Sequence, residues 1–205
     1  MSRLDRVIAG GLFAAGLAVV VGYGISQTTP ALAQATDGPG PNLVIEVAGQ
    51  ANGTVVIDLL PDVAPKHVAQ ITALAKEGAY DNVVFHRVIE GFMAQTGDVS
   101  NGKAGGDLSM AGMGGSSLPD IPAEFTNDLS FQRGVVGMAR AQDPNSANSQ
   151  FFIMFADGSF LDGQYTIVGN VVSGMEVVDA IKRGDGQNGE VSGTPDVMTK
   201  VTVQE

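Results

Sequence analysis

Short apolar segments separated by glycine-bearing turns dominate this chain, and only two stretches carry a helical period. Few architectures bury such a pattern, because each short strand needs neighbours on both edges. Strands are expected from Asn42 to Val47, Thr54 to Leu60, Val83 to Val88 and Phe92 to Thr96. Four more are expected from Gly134 to Arg140, Ser149 to Phe155, Thr166 to Val172 and Val197 to Val203. Asn52-Gly53 and Glu90-Gly91 read as the turns of two hairpins. One helix is expected from about Ala64 to Ala75, with Pro65 in its first turn and Gly78 as its stop. A second is expected from Gly174 to Arg183. There Ser173 and Glu176 read as a capping box, Met175, Val178 and Ile181 as the buried face, Lys182 and Arg183 as dipole partners, and Gly184 as the stop. Eight strands with two helices predict a mainly β fold: a closed eight-stranded antiparallel barrel capped by two α-helices.

The first 33 residues read as a targeting segment. Arg3 and Arg6 precede an uncharged apolar run, Val7 to Ile25, and Ala31 and Ala33 form an A-x-A site. That order predicts a signal peptide over residues 1–33, cut after Ala33, and a periplasmic or secreted product. The run also just reaches spanning length, so the alternative is an uncleaved anchor facing the periplasm, with membrane contact through that segment only. Residues 34–41, rich in Gly and Pro, read as a flexible linker, and residues 42–205 as one domain.

Composition excludes several classes. With no cysteine there are no disulfides, thiolate metal sites or cysteine nucleophile. A formal charge of −11 offers no basic face for nucleic acid. Two histidines leave little for a metal centre, and no metal is expected. No phosphate-binding loop, G-x-S-x-G or H-E-x-x-H is present, and no cofactor is expected. His67 reads as a partly exposed helix residue and His86 as a structural hydrogen-bonder within a strand. Residues 97–117 form a long Gly-rich loop, a length often associated with function.

One feature points to a site. Arg87 stands in an apolar segment and alternates onto the face of Val83 and Phe85. Met93 and Gln95 share a face of the next strand, and Gln150 and Phe152 share one further on. By itself this also fits an ordinary barrel face with a snorkelling arginine.

The segment FHRVIEGFMAQTGD, from Phe85 to Asp98, closely resembles the signature of the cyclophilin-type peptidyl-prolyl cis–trans isomerases. The resemblance continues in GVVGMARAQDPNSANSQFFIMFAD, from Gly134, and in FLDGQYTIVGNVVSGMEVVD, from Phe160. It implies a barrel capped by two helices and a rotamase needing neither metal nor cofactor. It places the family's catalytic arginine on Arg87 and its proline pocket on Phe92, Met93, Phe152 and Leu161. Gln95 and Gln150 match polar groove positions, and Ala139 and Ala141 match groove backbone. Phe160 and Tyr165 complete the substrate-binding set, standing where the best-known eukaryotic members have tryptophan and histidine. Arg140 stands at an asparagine position. These departures resemble those of bacterial members, and with the targeting segment they imply the bacterial exported subgroup. The implied substrates are X-Pro bonds in exported polypeptides undergoing folding, and the implied state is a monomer. The alternative is a chaperone or peptide-binding module that recruits clients without turnover. In drug-sensitive members the tryptophan's indole N–H donates a hydrogen bond to cyclosporin, so Phe160 implies low sensitivity.

Overall fold

A computed structural model describes residues 36–186 and 188–205. The expected signal peptide and its cut lie outside the described residues. The elements run β1 (Asn42–Ala48), β2 (Gly53–Leu59), α1 (Pro65–Lys76), β3 (Val83–Val84), β4 (Arg87–Ile89) and β5 (Met93–Thr96), then β6 (Val135–Met138), β7 (Phe151–Met154), β8 (Ile167–Ser173), α2 (Met175–Ala180) and β9 (Val197–Gln204). All nine strands join one antiparallel sheet in the order β3-β9-β1-β2-β8-β6-β7-β5-β4. The fold is mainly β, as the patterning predicts, but the closed eight-stranded barrel needs correction.

The difference arises at one segment. The single strand expected from Val83 to Val88 divides in two. β3 pairs with β9, placing Val83 opposite Met198, while β4 pairs with β5, placing Arg87 opposite Gln95. β3 and β4 are the two outermost strands, so the curled sheet has its edges joined by the chain itself through Phe85-His86 rather than by a ladder. Phe85 N donates to Asp196 O and Val191 N donates to His86 O, which supplies backbone partners where the ladder is missing.

Alternation sends one set of side chains inward. Leu43, Ile45, Ile57, Val88, Phe151, Ile153 and Val168 are fully buried in the main core. The opposite face of the same strands carries a smaller cluster of Met93, Phe131, Phe152, Met154, Leu161 and Ile167, with Phe92 and Tyr165 packed against it. Gly137 makes that second cluster possible. A Cβ there would stand 2.5 Å from Phe152 Cζ and 2.6 Å from Phe131 Cε1.

α1 begins at Pro65 and buries Val68, Ile71, Leu74 and Ala75. His67 is fully buried, not partly exposed as expected. Its Nδ1 lies 2.6 Å from Glu124 Oε2, and the same carboxylate accepts the Lys66 and His67 backbone N–H groups. Glu124 thus caps the helix from a distant loop and draws the imidazole inward. Burial holds His67 below the ordinary imidazole value, although Glu124 opposes that shift.

α2 also departs from expectation. It ends at Ala180, and no side chain caps it, so Ser173 and Glu176 form no capping box. Gly174 is the cap residue in left-handed conformation, at φ 87°, because a Cβ there would meet Thr54 O at 2.2 Å. Lys182 N instead donates to Asp196, and Ile181 is already extended, so neither Lys182 nor Gly184 ends the helix. Residues 37–41 lie alongside β2: Gly38 N donates to Asp58 Oδ2 and Leu59 N to Pro41 O.

Candidate functional site

Directly opposed residues in antiparallel strands point to the same face. The register places Arg87 opposite Gln95, Gln95 opposite Phe152 and Phe152 opposite Gly137. One row across four strands therefore carries a cation, an amide, an aromatic ring and a gap for that ring. The row lies over the smaller apolar cluster.

A cavity of about 190 Å³ opens on this row. Arg87, Phe92, Met93, Gln95, Phe152, Leu161 and Tyr165 line it, with Ala139 and Arg140 at its side. Phe152 forms the floor. Its ring stacks on Phe131 at 5.7 Å and meets the edge of Tyr165 at 5.8 Å. Leu161 enters from a 3₁₀ turn, Ser159–Leu161, pinned by Gly158 N donating to Phe131 O.

Arg87 is fixed from two sides. Nε donates to Asn188 O at 2.7 Å and Nη1 to Gln95 Oε1 at 3.2 Å, with Met93 Sδ 4.0 Å from Nη1. Nη2 has no hydrogen-bond partner among the described residues. Burial draws the guanidinium below its ordinary pKa, opposed by Tyr165 and Glu190. An arginine nevertheless remains a cation at neutral pH.

The polar row continues outward. Gln95 Nε2 donates to Gln150 Oε1 at 2.9 Å, and Gln150 Nε2 donates to the carbonyls of Gly112 and Gly114. Those glycines belong to the Gly-rich loop, which is organised by Asp98. The fully buried Asp98 carboxylate accepts Ser100 N, Ser100 Oγ and Asn101 N on one oxygen, and Gly112 N and Gly114 N on the other. Burial raises its pKa, but these hydrogen bonds outweigh that and hold it below the ordinary aspartate value. Beside it, His86 is buried with neither ring nitrogen hydrogen-bonded, so it is not the hydrogen-bonder expected. It packs instead against Gly112, where a Cβ would stand 3.0 Å from the ring.

A second, larger cavity of about 470 Å³ adjoins the first. Gln95, Ala139 and Arg140 separate the two and line both. Ala141 and Gln150 line only the larger one. Phe160 lines neither. It is 63% exposed and packs at a tilt against Phe92, ring centroids 5.6 Å apart. Asn188, which holds Arg87, lies 101 residues away in sequence, and no local pattern marks it. Arg140 draws notice in the sequence only as a departure from the family pattern.

The sequence profile of the family described as "Cyclophilin type peptidyl-prolyl cis-trans isomerase/CLD" matches residues 43–203. A "Probable peptidyl-prolyl cis-trans isomerase" of Brucella suis biovar 1 is 60% identical over 156 residues, covering 75% of this chain and 79% of that protein. A peptidyl-prolyl cis-trans isomerase of Schizosaccharomyces pombe is 42% identical over 128 residues, covering 61% of this chain and 76% of its own. Among solved structures, a cyclophilin-type isomerase of Cryptosporidium parvum crystallised in the presence of the dipeptide Ala-Pro is similar at a TM-score of 0.68 and 26% identity, covering 80% of this chain and 99% of that one. The cyclophilin AquaCyp293 of Hirschia baltica is similar at 0.66 and 27% identity, covering 82% and 75%.

Proposed function

This chain belongs to the cyclophilin-type peptidyl-prolyl cis–trans isomerases and is an enzyme of that activity; from that premise we propose how it works and where. The barrier to X-Pro rotation is amide resonance, which makes uncatalysed isomerisation take tens to hundreds of seconds. In the twisted transition state the prolyl nitrogen becomes pyramidal and gains a lone pair that can accept a hydrogen bond. Arg87 Nη2 donates it. The observation that carries this reading is the two-sided fixing of Arg87, which occupies Nε and Nη1 and leaves Nη2 without a partner among the described residues, beside the smaller cavity.

Phe92, Met93, Phe152 and Leu161 hold the proline ring, with Tyr165 at the side and Phe160 at the rim. Gln95, Gln150, Ala139 and Ala141 hold the flanking peptide. Each tenfold acceleration needs about 1.4 kcal/mol. A charged hydrogen bond supplies about 1.5–3 kcal/mol, so pocket binding and desolvation supply the rest. Arg87→Ala is expected to lose roughly ten- to hundredfold in kcat/KM with an unchanged circular dichroism spectrum. Arg87→Lys recovers little, because an ammonium lacks the planar fork. Wild-type turnover in Arg87→Ala would overturn the mechanism.

The order of basic start, apolar run and Ala31/Ala33 supports export. The mature enzyme then begins at Gln34 and acts as a monomer on proline-containing polypeptides folding outside the cytoplasm. N-terminal sequencing of the exported protein checks the cut. Recovery of the intact chain in membranes would identify an anchored form instead.

A further inference from the structure

We propose that Arg140 makes this isomerase selective for an acidic side chain close to the target proline, an inference that rests on the isomerase reading above. Carboxylates are plentiful on this chain, and four of its nine described lysines and arginines are paired with one. Lys76, Arg133, Arg183 and Lys200 form salt bridges with Glu205, Asp179, Glu90 and Asp81. Lys66, Lys103 and Lys182 have no salt bridge among the described residues, but none of them lines either cavity. Among the described residues Arg87 and Arg140 lack a carboxylate within salt-bridge distance, and both line the smaller cavity.

Arg140 is built to stay where it is. Nε and Nη2 both donate to Gln164 O, at 3.1 and 3.0 Å, and Nη1 donates to Ala141 O and Gln142 O at 2.9 and 3.2 Å. The guanidinium also lies 4.5 Å over the Tyr165 ring. Neutral carbonyls and a ring face orient a cation without neutralising it. One Nη2 hydrogen remains unused, because a guanidinium has five N–H bonds. The result is a prepositioned positive charge on the ridge between the two cavities, with little side-chain entropy left to lose on binding.

A peptide whose proline fills the smaller cavity and whose flanking residues enter the larger one runs past this ridge, because Gln95, Ala139 and Arg140 line both. A glutamate or aspartate near the proline would meet Arg140, whereas a lysine would be repelled. The neighbouring carboxylates localise the effect. Asp120 lines the larger cavity and accepts from Asn148, and Glu190 lies beside Arg87. Acidic selectivity therefore belongs to one position next to the ridge rather than to the whole groove.

Exchange NMR on short peptides carrying Glu, Gln or Lys at each position within two residues of the proline tests this. In wild type, one position should rank Glu above Gln above Lys, with a Glu-to-Lys ratio in kcat/KM of about two- to fivefold, the scale of an exposed ion pair. The ratio should fall towards one at about 0.5 M salt. It should also fall towards one in Arg140→Gln, while Arg140→Lys keeps the order even if all rates drop from loss of the clamp. An unchanged ratio in Arg140→Gln, or no charge ordering at any position in wild type, would overturn the proposal. Peptide-induced shifts in the same samples give Kd, so the ordering is read independently of turnover. Failure of wild type to accelerate exchange of the Gln peptides would overturn the isomerase mechanism separately.

Discussion

Phe160 is expected to govern inhibitor affinity without governing the reaction. It lies on the rim, mostly exposed and tilted against Phe92, outside both cavities. An indole there would have room to point its N–H at a large ligand lying across the rim. Phe160→Trp should therefore strengthen cyclosporin inhibition about five- to hundredfold, the range for satisfying a buried carbonyl of roughly 1–3 kcal/mol. Its kcat/KM on small proline peptides should barely change. Titrating both forms with the drug in one assay decides it, and equal inhibition would remove Phe160 from the account. At this scale the sequence was informative chiefly through resemblance. Alternation alone could not pair Arg87 with Gln95 and Phe152, because register between strands is set by turns and bulges along the whole chain.

The Gly-rich loop is held less by its own regular structure than by Asp98. Its backbone donors converge on one carboxylate, and two of its carbonyls then orient Gln150. Asp98→Ala should lower stability by about 2–4 kcal/mol, since buried donors are left unpaired. That corresponds to a fall in Tm of roughly 5–15 °C. Activity should fall as well, through Gln150 and Gln95. Asp98→Asn should lie between, and a Tm within a degree of wild type for Asp98→Ala would show that water replaces the carboxylate. Glycine abundance marked this segment, but its organising residue was hidden among fifteen scattered aspartates because its partners lie up to 16 residues away. α1 was legible because Pro65 and Gly78 punctuate it locally. The cap of α2 was not, because Gly174 is dictated by the backbone of Thr54 across the sheet.

Both histidines are buried, and burial lowers the pKa of each. In the unfolded chain each binds a proton near pH 6.5, whereas in the folded protein it resists until lower pH. The stabilisation is complete above about pH 6.5 and is lost as pH falls through the lowered folded values. Urea midpoints should thus decline between pH 7 and 5, before the low-pKa carboxylates Asp98 and Glu124 contribute further losses below about pH 4. A flat profile from pH 7 to 5 would contradict this. The same view of the whole domain gives the β1–β9 pairing a practical meaning. Asn42 and Gln204 are register partners, so the domain's first and last strands finish side by side. A linker of roughly four residues could join them, and new ends could be opened at the exposed Gly105-Gly106-Asp107 segment, away from the ladder. The architecture is in that sense a ring cut at an arbitrary point, open to circular permutation with the smaller cavity left in one piece.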